Sequence, residues 1–101
     1  MRRRQTGDAM PLIRDHEHYE FERFQGVYFW MKDGTVHILC MVSHEALRDR
    51  SALDGEDASL PDTFERHRQR IETLAGAKYE QGHKPNDLVV VLSKDLSPLA
   101  A

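Results

Sequence analysis

"GVYFWMKDGTVHILCMVS", Gly26 to Ser43, holds the only tryptophan and the only cysteine of the chain. Two runs rich in β-branched and aromatic residues, Val27–Met31 and Val36–Val42, flank "KDGT", the composition of two strands around a tight turn. Asp33-Gly34 suits a two-residue type I′ loop, because both loop positions need positive φ and glycine takes it freely. That loop predicts a register in which Lys32 faces Thr35, Met31 faces Val36, Trp30 faces His37, Phe29 faces Ile38, Tyr28 faces Leu39 and Val27 faces Cys40. Side chains alternate along a strand, so the hairpin divides into two sets. Val27, Phe29, Met31, Val36, Ile38, Cys40 and Val42 form an apolar core face. Tyr28, Trp30, Lys32, Thr35, His37, Leu39 and Met41 form a mixed aromatic face, too apolar to be left wholly to water.

Working outward, Ser43 is a good N-cap for a short helix in "HEALRDR", with Glu45 at its positive end. "SALDGEDASL", Ser51 to Leu60, reads as a flexible loop. Asp62 with Glu65 opens the main helix in the manner of a capping box. The helix is expected from Thr63 to Gln81, stopped by Gly82. Phe64, His67, Ile71, Leu74, Ala75 and Lys78 or Tyr79 recur at helical spacing and predict its buried stripe. After a turn at Pro85, Asn86 and Asp87, "LVVVL" (Leu88 to Leu92) reads as a strand buried on both faces, placed centrally beside the hairpin. "HEHYEFERFQG" puts Tyr19 and Phe21 on one parity with Phe24 breaking it, and is read as a short edge strand or an aromatic turn.

The expected architecture is therefore α+β. A small antiparallel sheet, made of the central hairpin and the C-terminal strand, packs against one long and one short helix. Residues 16–95 form the single domain, between a flexible N-terminal arm (1–15) and a flexible C-terminal tail (96–101). A chain of 101 residues can hide roughly two thirds of its unfolded surface in one modest core. With 40% hydrophobic and 31% charged residues and a net charge of -3, it has the balance of a globular protein rather than of a disordered or membrane chain. One cysteine excludes an internal disulfide, and "MRRRQTGDAM" has no apolar segment of the signal-peptide kind behind its arginines. The expected setting is cytoplasmic, with no membrane contact.

Few residues invite chemistry. His37-x2-Cys40-x3-His44 has the look of a metal motif, but His37 and Cys40 have opposite parity and cannot reach one ion from a regular strand. Neither a metal nor a cofactor is expected, since the phosphate-binding glycine motifs are missing as well. Cys40 is placed in the core, where a thiol behaves as a small hydrophobe, and His67 on the stripe of the main helix. No catalytic residue is assigned. Catalysis would need a pocket that joins His37, His44 or His67 to a carboxylate.

Two non-catalytic readings follow. Tyr28, Trp30, His37, Leu39 and Met41 make a flat patch of the composition enriched at interfaces, which suggests a homodimer or a protein partner unless the chain covers it itself. Arg2, Arg3 and Arg4, with Arg66, Arg68 and Arg70 of "RHRQR", offer the alternative of a nucleic-acid accessory protein. Acidic neighbours and the negative net charge weigh against that alternative.

"GVYFWM", a short turn, "VHILCMVSHEAL", a polar loop, "FERHRQRIETLAGAKYEQG" and a final "DLVVVL" together resemble the small bacterial family known as domain of unknown function 1488, over Tyr19 to Asp95. The resemblance implies a compact α+β protein without an assigned role, and it carries over no site residues. The three-arginine start looks longer than the family's usual start, so no role for the arm follows from it.

Overall fold

The computed structural model describes residues 12–55, 58–82 and 87–96. The elements run β1 (Ile13–Glu22), β2 (Gly26–Asp33), β3 (Val36–Ser43), α1 (His44–Asp54), α2 (Leu60–Glu80), β4 (Val89–Val91) and α3 (Ser93–Leu96). The fold is α+β, with one long helix and two shorter ones on a four-stranded sheet of order β1-β2-β3-β4.

The hairpin forms, but its turn lies one residue further along. Asp33 pairs with Val36, Met31 with Ile38, Phe29 with Cys40 and Val27 with Val42, so Gly34 and Thr35 are the loop. Gly34, at the first loop position, has φ 62°, a left-handed value that glycine adopts at little cost. Asp33 thereby joins the strand, where its carboxylate accepts a hydrogen bond from Tyr79 Oη at 3.0 Å. Every expected pair moves by two residues. Because the side-chain period is also two, the division into faces survives.

The core face is complete. Val27, Phe29, Ile38, Cys40 and Val42 are fully buried, and they form one cluster with Ala46 and Leu47 of α1, Phe64, Ile71 and Ala75 of α2, Val89 and Val91 of β4 and Leu96 of α3. Phe64 stands at its centre, its ring 4.7 Å from that of Tyr19 and 5.5 Å from that of Phe29. Val36, at the hairpin tip, is the exception on this face and is exposed. Gly26 closes the other end of the hairpin at φ 140°, where a Cβ would stand 1.9 Å from the Val42 carbonyl oxygen. Only glycine fits there.

Several expectations about the elements are corrected. The sheet is mixed, because β4 runs parallel to β3; both helices α1 and α2 lie between them, and such a crossover can return the chain in the same direction. β4 is an edge strand of three residues rather than a central one, with Leu88 and Leu92 exposed at its ends. β1 is a full edge strand that takes in Ile13 to Asp15, residues assigned above to the arm. α1 continues through Ser51–Asp54, read above as loop, and ends on Gly55 in the left-handed conformation. Leu96, assigned to the tail, is buried in α3. α2 starts at Leu60, with Ser59 as N-cap and Pro61 in its first turn. There Ser59 Oγ accepts from Asp62 N–H at 3.1 Å.

The turn residues Pro85 and Asn86, the arm to residue 11 and the tail from residue 97 lie outside the described residues. Among the described residues no helix is long and apolar enough to cross a membrane.

Candidate interaction face

With the helices gathered on the core side, the opposite face of the sheet carries no helix among the described residues. Tyr28, Trp30, Leu39 and Met41 lie on it half-buried, and Val90 of β4 extends it beside Met41. Tyr28 Oη donates to Gln25 Oε1. His37 is 65% exposed at the side chain, and its Nδ1 lies 2.7 Å from Asp15 Oδ2. All five residues singled out for this face share it. His37 and Cys40 stand on opposite faces, one exposed and the other buried.

β1 supplies a rim that sequence reasoning did not assign. Glu20 pairs with Tyr28 and Glu22 with Gly26, which sets both carboxylates beside the aromatic pair. His18 Nε2 is 2.7 Å from Glu20 Oε2. His18, Glu20, Glu22 and Gln25 edge a shallow depression of about 520 Å³ floored by Tyr28, Trp30 and Leu39. The signal was present in "HYEFE", whose strict alternation puts Tyr19 and Phe21 on one side and the polar set on the other.

The arginines of α2 separate. Arg66 and Arg70 are exposed, whereas Arg68, a nucleic-acid candidate above, is only 4% exposed. The cause lies in β1. Between Arg14, which pairs with Met31, and Tyr19, which pairs with Phe29, the register shifts, so Asp15 to His18 oppose the single residue Trp30 and the ladder is broken. Arg68 Nη2 donates to the freed carbonyl of His16 at 3.1 Å and Nη1 to that of Glu17 at 2.9 Å. Its Nε donates to Glu72 Oε2 at 2.9 Å, and its guanidinium lies over the rings of Tyr19 and Phe64. Arg14 grips the same Glu72 from β1, at 2.7 and 3.1 Å. A guanidinium buried this deeply would be costly without partners, and these carbonyls with Glu72 supply them, so Arg68 serves the fold. Arg2, Arg3 and Arg4 lie outside the described residues.

On the core side, burial pushes the Cys40 thiol up to about 12, which keeps it protonated and a poor nucleophile. His67 is half-buried on α2 and reaches back to α1, its Nε2 2.7 Å from Asp54 Oδ2. Arg50 donates to Oδ1 of the same carboxylate at 2.9 and 3.1 Å. The hydrogen bond with His67, then that with Arg50, holds the Asp54 carboxyl below its ordinary value. This clasp joins two helices, and of its members Arg50 alone also borders a depression. The second depression, about 230 Å³ between α1 and α3, is lined by Ala46, Asp49, Arg50, Leu53, Ser93, Lys94 and Leu96. No histidine among the described residues borders it. Among the described residues no three His, Cys, Asp or Glu side chains gather in a way that could hold a metal ion.

Fold and face together define a small two-layer α+β protein with helices on one side of its sheet and an aromatic surface on the other that carries no helix among the described residues. The family model described as protein of unknown function (DUF1488) matches residues 14–92, and the chain belongs to that family. No curated protein and no solved structure matches it.

Proposed function

We propose that this chain is a small non-enzymatic interaction protein that associates with a second copy of itself through the open face of its sheet. The observation that carries the reading is the contrast of Tyr28, Trp30, Leu39, Met41 and Val90, half-buried and contiguous, with the wholly covered residues one position away in the same strands. Aromatic side chains with polar tips favour interfaces because they bring large contact area at little entropic cost. Strands of eight residues at about 3.3 Å per residue and about 4.8 Å apart make a face roughly 25 by 15 Å. That is small beside the ~800 Å² per partner of a standard interface, so the dimer is expected to be weak and dependent on concentration.

The test is light scattering after size-exclusion chromatography over a wide concentration series, read with the fluorescence of Trp30, the only tryptophan. Mass should rise toward twice 11.7 kDa as Trp30 becomes less accessible to a soluble quencher. A constant monomer mass with unchanged quenching overturns the reading.

The nucleic-acid alternative draws on the exposed Arg66 and Arg70 and on the arm with Arg2, Arg3 and Arg4, and it loses Arg68 to the fold. It predicts DNA or RNA affinity that falls steeply with salt; a flat response at low salt would dispose of it.

A further inference from the structure

The open face is polar along its strands, and this gives the self-association proposed above, on which the present inference rests, a definite geometry. Along β2 the residues on this face are Tyr28, Trp30 and Lys32, at steps of about 6.7 Å. At the Tyr28 end β1 contributes Glu20, paired with Tyr28, and Glu22, one step beyond. At the other end Lys32 lies between Ile13 and His37. Asp15 is paired with His37 and Glu20 with His18, whereas neither Lys32 nor Glu22 has an ion-pair partner among the described residues. The acidic end and Lys32 are therefore separated by roughly 13 Å, with Trp30 midway.

We infer that two copies pair head to tail about a two-fold axis that crosses the strands at the Trp30–Leu39 row, so that Lys32 of each copy lies over Tyr28, beside Glu20, of the other. Trp30 then meets Trp30. The ammonium of Lys32 gains the face of an aromatic ring and a neighbouring carboxylate in one place, at the depression that Glu20, Glu22, Tyr28 and Trp30 outline. The opposite arrangement, with the axis along the strands, sets Lys32 against its own copy and Glu20 away from any cation. Like charges opposed at a small interface suffice to exclude it. A two-fold pairing also closes, whereas a displaced one would leave a face open for further copies.

The experiment uses two variants of the full chain, Lys32→Glu and the double variant Glu20→Lys with Glu22→Lys, first alone and then mixed. All three positions are on the surface of the sheet, and circular dichroism verifies folding before mixing. Each variant alone places like charges at both ends of the interface and should weaken the dimer by about ten-fold or more. Mixed in equal amounts, they restore opposite charges at both ends, and native mass spectrometry should show the heterodimer in preference to either homodimer. A wild-type dimer whose affinity neither variant changes, or a mixture without heterodimer enrichment, overturns the head-to-tail pairing while self-association stands. A wild-type chain that stays monomeric removes both.

Discussion

The two faces of one sheet, built by alternate residues of the same strands, have opposite fates. Phe29 is fully covered and touches Phe64, while Trp30, its neighbour in the chain, is half-buried on a face that no helix covers among the described residues. The difference teaches that hydrophobicity alone does not decide which side of a strand becomes the core. Both faces carry large apolar side chains, but only one has no charged member among the residues buried by α1 and α2, and the other is fringed by Glu20, Glu22, Lys32 and His37. The charged residues that the covered side does carry at its margin, Arg14 and Asp33, are bonded to Glu72 and Tyr79 of α2, so the helices bury no charge there without a partner.

The sharpest way to break the comparison is to truncate neighbours. Phe29→Ala removes a side chain packed on Phe64 at the centre of the cluster, and it should cost about 3–5 kcal/mol, a large share of the total stability of a domain of this size. Leu39→Ala, on the open face, should cost about 1 kcal/mol or less. Urea denaturation of the two variants measures both. Similar losses would mean that the open face is covered within the chain, and the proposed interface would go with it.

Arg68→Ala follows in size. It strips the bulge carbonyls of His16 and Glu17 of their donors and leaves Glu72 with Arg14 alone, so a loss of about 3 kcal/mol is expected. The stability should not return in Arg68→Lys, whose point ammonium cannot serve two carbonyls and a carboxylate at once. If either variant unfolds at the wild-type urea midpoint, Arg68 is a surface cation and the arginine set on α2 is whole again.

These two positions also mark what the sequence makes legible. The faces of the hairpin could be read because alternation is local and tolerates a turn displaced by one residue: the pairs slip by two and the sides remain. The open-face residues Tyr28, Trp30, His37, Leu39 and Met41 were found for the same reason. Arg68 could not be found that way, since its burial answers a demand raised far off in the chain by the bulge between Arg14 and Tyr19, and the bulge itself interrupts the alternation that would have revealed the full length of β1. The direction of β4 was hidden too, because a short run such as Val89–Val91 records burial and leaves strand order and direction to the helices that precede it. The length of α1 depended on Asp54, whose place in the last turn is held by Arg50 four residues back and by His67 of the next helix.

Asp54 supplies the smallest effect and a chemical contrast between the two sides. On the helical side its carboxylate is clasped by His67 and Arg50 with 15% of the side chain exposed, whereas the histidine of the open face, His37, is mostly in water even as it touches Asp15. The folded protein holds the Asp54 carboxyl below its ordinary value of 3.8, and a depressed acid stabilises the folded state in full above the unfolded value and loses that contribution as pH falls through the lower, folded one. The clasp should therefore be intact at neutral pH and weaken as pH drops from about 4 downward. Asp54→Asn removes the titrating group, so the variant should be modestly less stable at neutral pH and show a shallower decline on the acid side, the two curves converging at low pH. Urea midpoints taken along a pH series from neutral to strongly acidic check this directly. His37→Ala should leave the neutral-pH midpoint closer to wild type than Asp54→Asn does, because an exposed pair contributes little to folding. If the acid limbs of wild type and Asp54→Asn run parallel, the link between α1 and α2 rests on packing alone, and the charged clasp adds nothing to the covered side of the sheet.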